Sequence, residues 1–353
     1  MNKLNAYGYF FTDVGQALSR KEFEITPPES GEVIVKVHGC GLCHTDLSFY
    51  TGAVGTKMQT PLVLGHEISG VVVSACSEME NLIDKKVIIP AVLPCGDCEL
   101  CLAGRDNICQ NQKMPGNDFH GGFASHIKVP GRFLCVVAEE LGEFKLEELS
   151  VVADAITTPY QSLKRSKAKK GDLAIVLGTG GIGIYMVQHL KNIGATVIAC
   201  DVSDQKLESA KMFGASFAIN VKGLAPRDLK KKVREIVKEN SLPNFGWKVF
   251  ETSGTGAGQM SAFSLLSFAG VVGIIGFTMD KLELRLSNLM AFDGDLFGNW
   301  GCSPKYYPDV VKGVLSGEIK LKENIEIFPL DKINEVIALS LEHKLEKRAI
   351  FVP

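Results

Sequence analysis

Cys95, Cys98, Cys101 and Cys109 follow one another as C-x2-C-x2-C-x7-C in a stretch that also holds Gly, Asp and Asn. Four thiolates from one loop can close a tetrahedron around Zn²⁺ with Zn–S bonds of about 2.3 Å, leaving no position for a substrate. Such a site folds the lobe that carries it. A bacterial ferredoxin run also begins C-x2-C-x2-C, but it places its fourth cysteine sooner and follows it with proline. Here seven residues intervene and Gln110 follows, so the spacing points to structural zinc rather than to an iron–sulfur cluster.

A second set of donors is dispersed. Cys43 lies in Gly41-Leu-Cys-His-Thr-Asp46, His66 and Glu67 follow Gly65, and Asp154 stands between Ala153 and Ala155. Three protein ligands with a fourth position open is the pattern of a catalytic zinc. Spacing alone does not join Cys43 to Asp154, and Cys40 is near enough to compete with Cys43.

The third group is Gly178-Thr-Gly-Gly-Ile-Gly183, which follows an apolar run and opens a helical pattern. In that context Gly178, Gly180, Gly181 and Gly183 read as a dinucleotide fingerprint, with the pyrophosphate expected on the free N–H groups of the helix N-terminus. Asp201 ends the next strand, where a carboxylate accepts from a ribose 2′-hydroxyl. It would repel a 2′-phosphate and no arginine follows it, so NAD is favoured over NADP. Lys206 is placed to approach the same ribose.

The apolar pattern supplies two scaffolds for these groups. Up to about residue 150, short strands (32–38, 68–73, 86–90) are separated by loops rich in Gly, Pro and Cys, which reads as an antiparallel, barrel-like domain. From about residue 155, buried strands alternate with helices. Leu173–Leu177, 196–200, 247–250 and 271–275 read as strands, and 206–213 and 228–239 as helices. That alternation implies a parallel, doubly wound sheet. After about residue 297 the pattern reads as loops and short strands, ending at 349–352. The basic run 164–170 reads as a solvated connection, and the strand at 271–276 as one that could extend the sheet across a two-fold.

Composition narrows the partners. Lys plus Arg is 38 against 40 for Asp plus Glu, so a net charge of −2 gives no field for nucleic acid or an anionic membrane. A zinc-ribbon nucleic-acid binder is disfavoured on that ground. The longest apolar run, 268–277, is broken by Gly270, Gly273 and Gly276 and is short of the roughly 18 residues of a membrane span. The segment from Met1 to Phe11 holds one lysine and no apolar core of a signal peptide, so a cytoplasmic, reducing compartment is expected.

At these residues the chain resembles the zinc-containing alcohol dehydrogenases of the medium-chain dehydrogenase/reductase superfamily. The resemblance is collinear over essentially all 353 residues: GLCHTD, GHE, the four-cysteine lobe, DAITTPYQSL, GTGGIG, Asp201 and a C-terminal arginine. It implies an α/β protein with a GroES-like β-barrel catalytic domain at 1–155 and 297–353, its zinc lobe at about 91–113. The remainder, 156–296, would be a Rossmann coenzyme domain. It further implies two zinc ions per chain and NAD. Cys43, His66 and Asp154 would hold the catalytic zinc, Asp154 falling where many members have cysteine. Glu67 would stand behind the metal and Asp46 would orient His66. Thr45 would take the substrate proton, His44 and Arg348 would contact coenzyme phosphate, and Thr158 would lie against the nicotinamide. One departure is Ser48, where several members end a proton relay with histidine.

Asn288-Leu-Met-Ala-Phe292 and Gly298-Asn-Trp-Gly-Cys302 are similar to a narrower group, the 6-hydroxycyclohex-1-ene-1-carbonyl-CoA dehydrogenases of aromatic-acid breakdown. The implied reaction oxidises a cyclic hydroxyacyl-CoA to its ketone. The competing substrate is a free small secondary alcohol or polyol. A zinc- and NAD-binding protein without turnover is disfavoured by the intact set of Cys43, His66, Asp154 and Thr45. Members of the family are homodimers or homotetramers.

Overall fold

The computed structural model describes residues 3–353, which divide into two compact units. The first holds the described residues up to Thr157 with Gly301–Gly317 and Leu321–Pro353. The second is Thr158–Trp300 with Glu318–Lys320.

In the first unit the larger sheet runs Ile325–Pro329, Arg348–Val352, Glu32–Gly41, Glu67–Ala75, Lys86–Ile89, Cys135–Val136, with His126–Pro130 also paired to Glu32–Gly41. Glu32–Gly41 is its backbone because it buries apolar residues on both faces. Val33, Val35 and Val37 enter the main core with Ile68, Val72, Val87 and Phe351, while Ile34 packs with Ala6 and Ile25 on the other side. Each such fully buried aliphatic side chain contributes about 1.5–3 kcal/mol of transfer free energy. The C-terminal end of this strand delivers Gly41 opposite Glu67, so Cys43 and His66 leave adjacent strands at the same end.

The second unit is a six-stranded, wholly parallel sheet. Its order is Phe217–Asn220, Thr196–Asp201, Leu173–Leu177, Lys248–Glu251, Val271–Ile274, Asp295–Gly298. All five residues of Leu173–Leu177 are buried, as a strand covered on both faces by helices requires. This is the doubly wound order in which the chain reverses direction beside the first strand.

Three expectations need correction. The stretch after 297 is not only loops and strands: Tyr307–Leu315 and Ile333–Leu341 are helices. Val310, Val311 and Val314 recur at helical spacing and are buried, as are Ile333, Val336 and Ile337. Burial of one face outweighs the weak helix preference of the β-branched residues. Secondly, Val271–Ile274 is paired on both sides, so the edge of the sheet on that side is Asp295–Gly298. Thirdly, the basic run begins inside the helix Thr157–Ser166, with Lys164 over the Tyr160 ring and Arg165 over Phe297.

No helix among the described residues is long and apolar enough to cross a membrane.

Candidate functional site

Cys43 is the N-cap of the short helix His44–Tyr50, whose first turn carries Asp46. The Asp46 carboxylate, 2 % exposed, is the hub of the site. Its Oδ2 accepts from the Cys43 N–H at 3.0 Å, and its Oδ1 accepts from the Gly65 N–H at 3.1 Å. The same Oδ1 lies 3.1 Å from His66 Nδ1. A carboxylate there fixes the ring so that Nδ1 carries the proton and Nε2 presents its lone pair.

That lone pair faces Asp154. Asp154 Oδ2 lies 3.8 Å from His66 Nε2 and 3.7 Å from Cys43 Sγ. Zinc bonds of about 2.0–2.3 Å at tetrahedral angles put ligand atoms roughly 3.4–3.8 Å apart, so the three donors fit one ion. Cys43, His66, Glu67 and Asp154 each offer an atom within 4.8 Å of the others. Cys40 is not among them; its buried thiol turns to the Gly41 carbonyl and burial pushes its pKa well up. The geometry thus separates two cysteines that spacing could not.

Charge in the site also calls for a cation. Burial works against a proton on His66, yet Asp46, Cys43 and Asp154 together hold its pKa well above the ordinary imidazole value. Glu67 is engaged elsewhere. Its Oε1 accepts from the Ala155 N–H at 3.1 Å and from Arg348 Nη2, and its Oε2 accepts from Arg348 Nε at 2.8 Å. Burial raises the Glu67 pKa against the pull of the Arg348 guanidinium. The resemblance gave Arg348 to a coenzyme phosphate. In the structure two of its nitrogens belong to Glu67 and its side chain is 6 % exposed, so its first role lies inside the barrel unit. This pair and the Ala155 N–H were not legible in the sequence, because strand Arg348–Val352 meets Glu32–Gly41 from the far end of the chain.

Thr45 is half-buried with Oγ1 3.8 Å from Cys43 Sγ. His44 is exposed at the start of the helix, and Ser48 donates to the His44 carbonyl at 2.9 Å.

The four-cysteine lobe brings its sulfurs together, and among the described residues no other donor joins them. Cys95–Cys109, Cys98–Cys101, Cys98–Cys109 and Cys95–Cys101 are 3.4, 3.5, 3.6 and 3.9 Å apart, the edges of a Zn–S tetrahedron. The Cys101 N–H, aimed at Cys98, lowers that thiol to about 6, whereas burial raises Cys101 to about 12. The lobe is fastened by Arg132 Nη1 to the Cys95 carbonyl at 2.9 Å and by Ser303 Oγ to Asp106 at 2.8 Å.

In the second unit the glycine turn follows Leu173–Leu177 and the helix Gly183–Asn192 begins at its last glycine. Gly178 has φ +84°, and a Cβ on Gly183 would sit 1.8 Å from the Gly178 carbonyl, so neither position tolerates a side chain. Gly180 is open except for Lys206 Nζ 3.9 Å away, and Gly181 is exposed. Asp201 is buried and already braces the turn: its Oδ2 accepts from the Thr179 N–H at 2.7 Å and from Thr179 Oγ1 at 3.2 Å. Its Oδ1 accepts from the Ser203 N–H at 3.0 Å. Thr158 is buried near the start of its helix, its carbonyl accepting from Ser162 Oγ and Asn299 Nδ2.

Residues 29–139 match the alcohol dehydrogenase GroES-like domain, and residues 181–316 match the zinc-binding dehydrogenase family. The chain belongs to the zinc-type alcohol dehydrogenases of the medium-chain family, a class of zinc- and NAD-dependent oxidoreductases acting on small molecules. It is 28 % identical over 336 residues to an alcohol dehydrogenase of Geobacillus stearothermophilus, covering 94 % of this chain and 95 % of that one. It is 26 % identical over 328 residues to the sorbitol dehydrogenase of Bacillus subtilis (strain 168), covering 91 % and 90 %. Among solved structures, the alcohol dehydrogenase of Aeropyrum pernix superposes with a TM-score of 0.88 at 27 % identity, covering 98 % of this chain and all of that one (100 %). An alcohol dehydrogenase from E. coli CFT073 solved with NADH gives 0.86 at 25 %, covering 99 % of each.

The lobe generates a first prediction. Cys98→Ser leaves three thiolates around a site that is closed by four, so stability should fall by about 2–5 kcal/mol with loss of one metal per chain. Thermal melting with metal analysis reads this; an unchanged melting temperature contradicts a folding role for the lobe.

Proposed function

We propose that the chain oxidises a secondary alcohol with NAD, Cys43, His66 and Asp154 holding a catalytic zinc and Cys95, Cys98, Cys101 and Cys109 a structural one. One observation carries the reading: three donors of three chemical types meet at Asp154 Oδ2 within 3.7–3.8 Å, while the fourth candidate, Glu67, is bound by Arg348 and Ala155. That leaves one position for the substrate oxygen.

When bound, zinc acts as a Lewis acid that lowers the pKa of an alcohol, and NAD accepts the hydride. The protein's own residues do the rest. Asp46 keeps His66 in the tautomer that can ligate. Thr45 Oγ1, beside Cys43, accepts the hydrogen bond of the substrate hydroxyl and relays the proton, passing its own on toward water as it takes the new one. Ser48 lacks a titratable group and its hydroxyl is turned to the His44 carbonyl, so no imidazole carries the proton onward at that position. Gly178, Gly180, Gly181 and Gly183 let a pyrophosphate approach the backbone, Asp201 accepts from the adenosine ribose and Lys206 reaches it from above Gly180. His44 supports a phosphate, and Thr158 packs on the nicotinamide. Asp154 brings a harder donor than a thiolate, so the electronic character of the site differs from that of a Cys₂His centre.

For substrate, we propose a cyclic hydroxyacyl-CoA of the 6-hydroxycyclohex-1-ene-1-carbonyl-CoA type, oxidised to its ketone. The support is the text of 288–292 and 298–302, not the basic run. Lys164 and Arg165 are stacked on aromatic rings and are poorly placed to serve a CoA phosphate. The relatives named for alcohols and sorbitol favour a free secondary alcohol or polyol as the second reading.

Asp154→Ala should reduce zinc from two ions per chain to one and lower turnover by more than about 100-fold with the fold intact. Two zinc ions and a normal rate would remove Asp154 from the ligand set. Asp201→Ala should raise KM for NAD by roughly 10-fold or more, as loss of a charged hydrogen bond of about 1.5–3 kcal/mol implies. An unchanged KM would leave Asp201 a brace of the turn alone. Initial rates with the CoA thioester, cyclohexanol and sorbitol decide the substrate: a kcat/KM for the thioester no better than for the free alcohols rejects the CoA reading.

A further inference from the structure

Asp154 belongs to neither helix nor strand. It caps the C-terminal end of the 3-10 helix Glu147–Ala153, with φ −142° and ψ −57°, and precedes the helix Thr157–Ser166. Something other than a regular hydrogen-bond ladder must orient the peptide from which its side chain reaches Cys43 and His66. The group that does so comes from much further along the chain.

Tyr307 stands at the start of the helix Tyr307–Leu315 and is fully buried. Its hydroxyl donates to the Ala153 carbonyl, the oxygen of the very peptide that carries the Asp154 nitrogen, and accepts from the Ala91 N–H at 3.3 Å. Thr157 Oγ1 donates to the same carbonyl at 3.3 Å and to the Asp154 carbonyl at 3.5 Å. The Ala91 N–H also points at the Ala153 oxygen, at a long 3.5 Å. The phenol therefore bridges two backbone segments whose own direct hydrogen bond is long. Without it, the Ala153 carbonyl would keep only two longer donors, the Ala91 N–H and Thr157 Oγ1, and the peptide would be held less firmly. Neither partner would be left wholly unsatisfied, so the change would be in position more than in global stability.

We propose that the Tyr307 hydroxyl is a positioning group for the catalytic metal site: by fixing the Ala153–Asp154 peptide it sets where Asp154 Oδ2 stands relative to Cys43 and His66, and hence how tightly the metal is held. This rests on the reading that those three residues bind zinc. Nothing in the local sequence announces it, because Tyr307 lies in a stretch whose pattern reads as loops and short strands.

The test is Tyr307→Phe, which removes one oxygen and keeps the ring. Zinc release to a chelator is followed in the full-length, zinc-loaded protein, with Asp154→Ala and Cys98→Ser assigning the two phases to their sites. The expected result is release from the catalytic site about 10–100-fold faster, with the cysteine-lobe phase unchanged. With Co²⁺ in the catalytic site, the visible absorption bands should shift. Tyr185→Phe deletes another fully buried tyrosine hydroxyl, in the second unit, and should alter neither readout. Thr157→Val, which removes the second donor to the Ala153 carbonyl, should move both readouts in the same direction by less, and it serves if Tyr307→Phe does not fold. Unchanged release and an unchanged cobalt spectrum overturn the proposal. So does faster release from both sites together, which marks general loosening. A wild-type chain that holds one zinc only overturns the functional reading itself, and this proposal with it.

Discussion

Everything in the barrel unit that resembles chemistry depends on one buried carboxylate. Asp46 receives the Cys43 N–H, the Gly65 N–H and the His66 ring, and so ties the start of one helix to the loop before a strand. An anion 2 % exposed is tolerated because three donors compensate its lost hydration. The arrangement fixes two ligands at once, since moving Asp46 would displace the Cys43 backbone and turn the His66 ring together.

Around that hub the electrostatics are one-sided. Glu67, Cys43 and Asp154 face the Arg348 guanidinium, and Asp46, Cys43 and Asp154 push the His66 imidazole toward its charged form. Such a donor set suits a cation. The Glu67–Arg348 pair sits behind the ligands with almost no exposure. Removing one member of a buried pair leaves a bare charge, at a cost of about 3–5 kcal/mol, so the pair is held as a unit. Through Glu67 Oε1 on the Ala155 N–H, this ion pair also reaches the residue next to Asp154. Two independent braces, one ionic and one from Tyr307, thus flank the same ligand.

What the sequence disclosed follows from how local each signal is. The strand Leu173–Leu177 was readable to the residue because five consecutive buried apolar side chains are bounded by a Gly-Asp start and a glycine turn. The cysteine lobe and the turn at Gly178 were readable for the same reason: in each, every participant lies in one short, continuous stretch of chain. The helix Tyr307–Leu315 was hidden by Pro308 and Gly313 among valines, although proline in a first turn is compatible with a helix start. The edge strand Asp295–Gly298 was hidden by its polar and glycine content. Cys43 and Asp154 are 111 residues apart, and only the resemblance, not spacing, joined them before the structure did. Arg348 was singled out by the resemblance for another role, and its pairing with Glu67, like the parts of Ala155 and Tyr307, could not be found in this way, since each acts through a contact between distant segments.

The contrast between the two metal sites also bears on how the polypeptide matures. The sulfur cage needs only the short loop from Cys95 to Cys109 to close, and closing a short loop costs little chain entropy. The other centre needs Asp154, then Tyr307, and finally strand Arg348–Val352 to bring its guanidinium behind Glu67. The cage is thus a local closure, whereas the other cluster is complete only once distant segments meet, the strand Arg348–Val352 pairing with Glu32–Gly41.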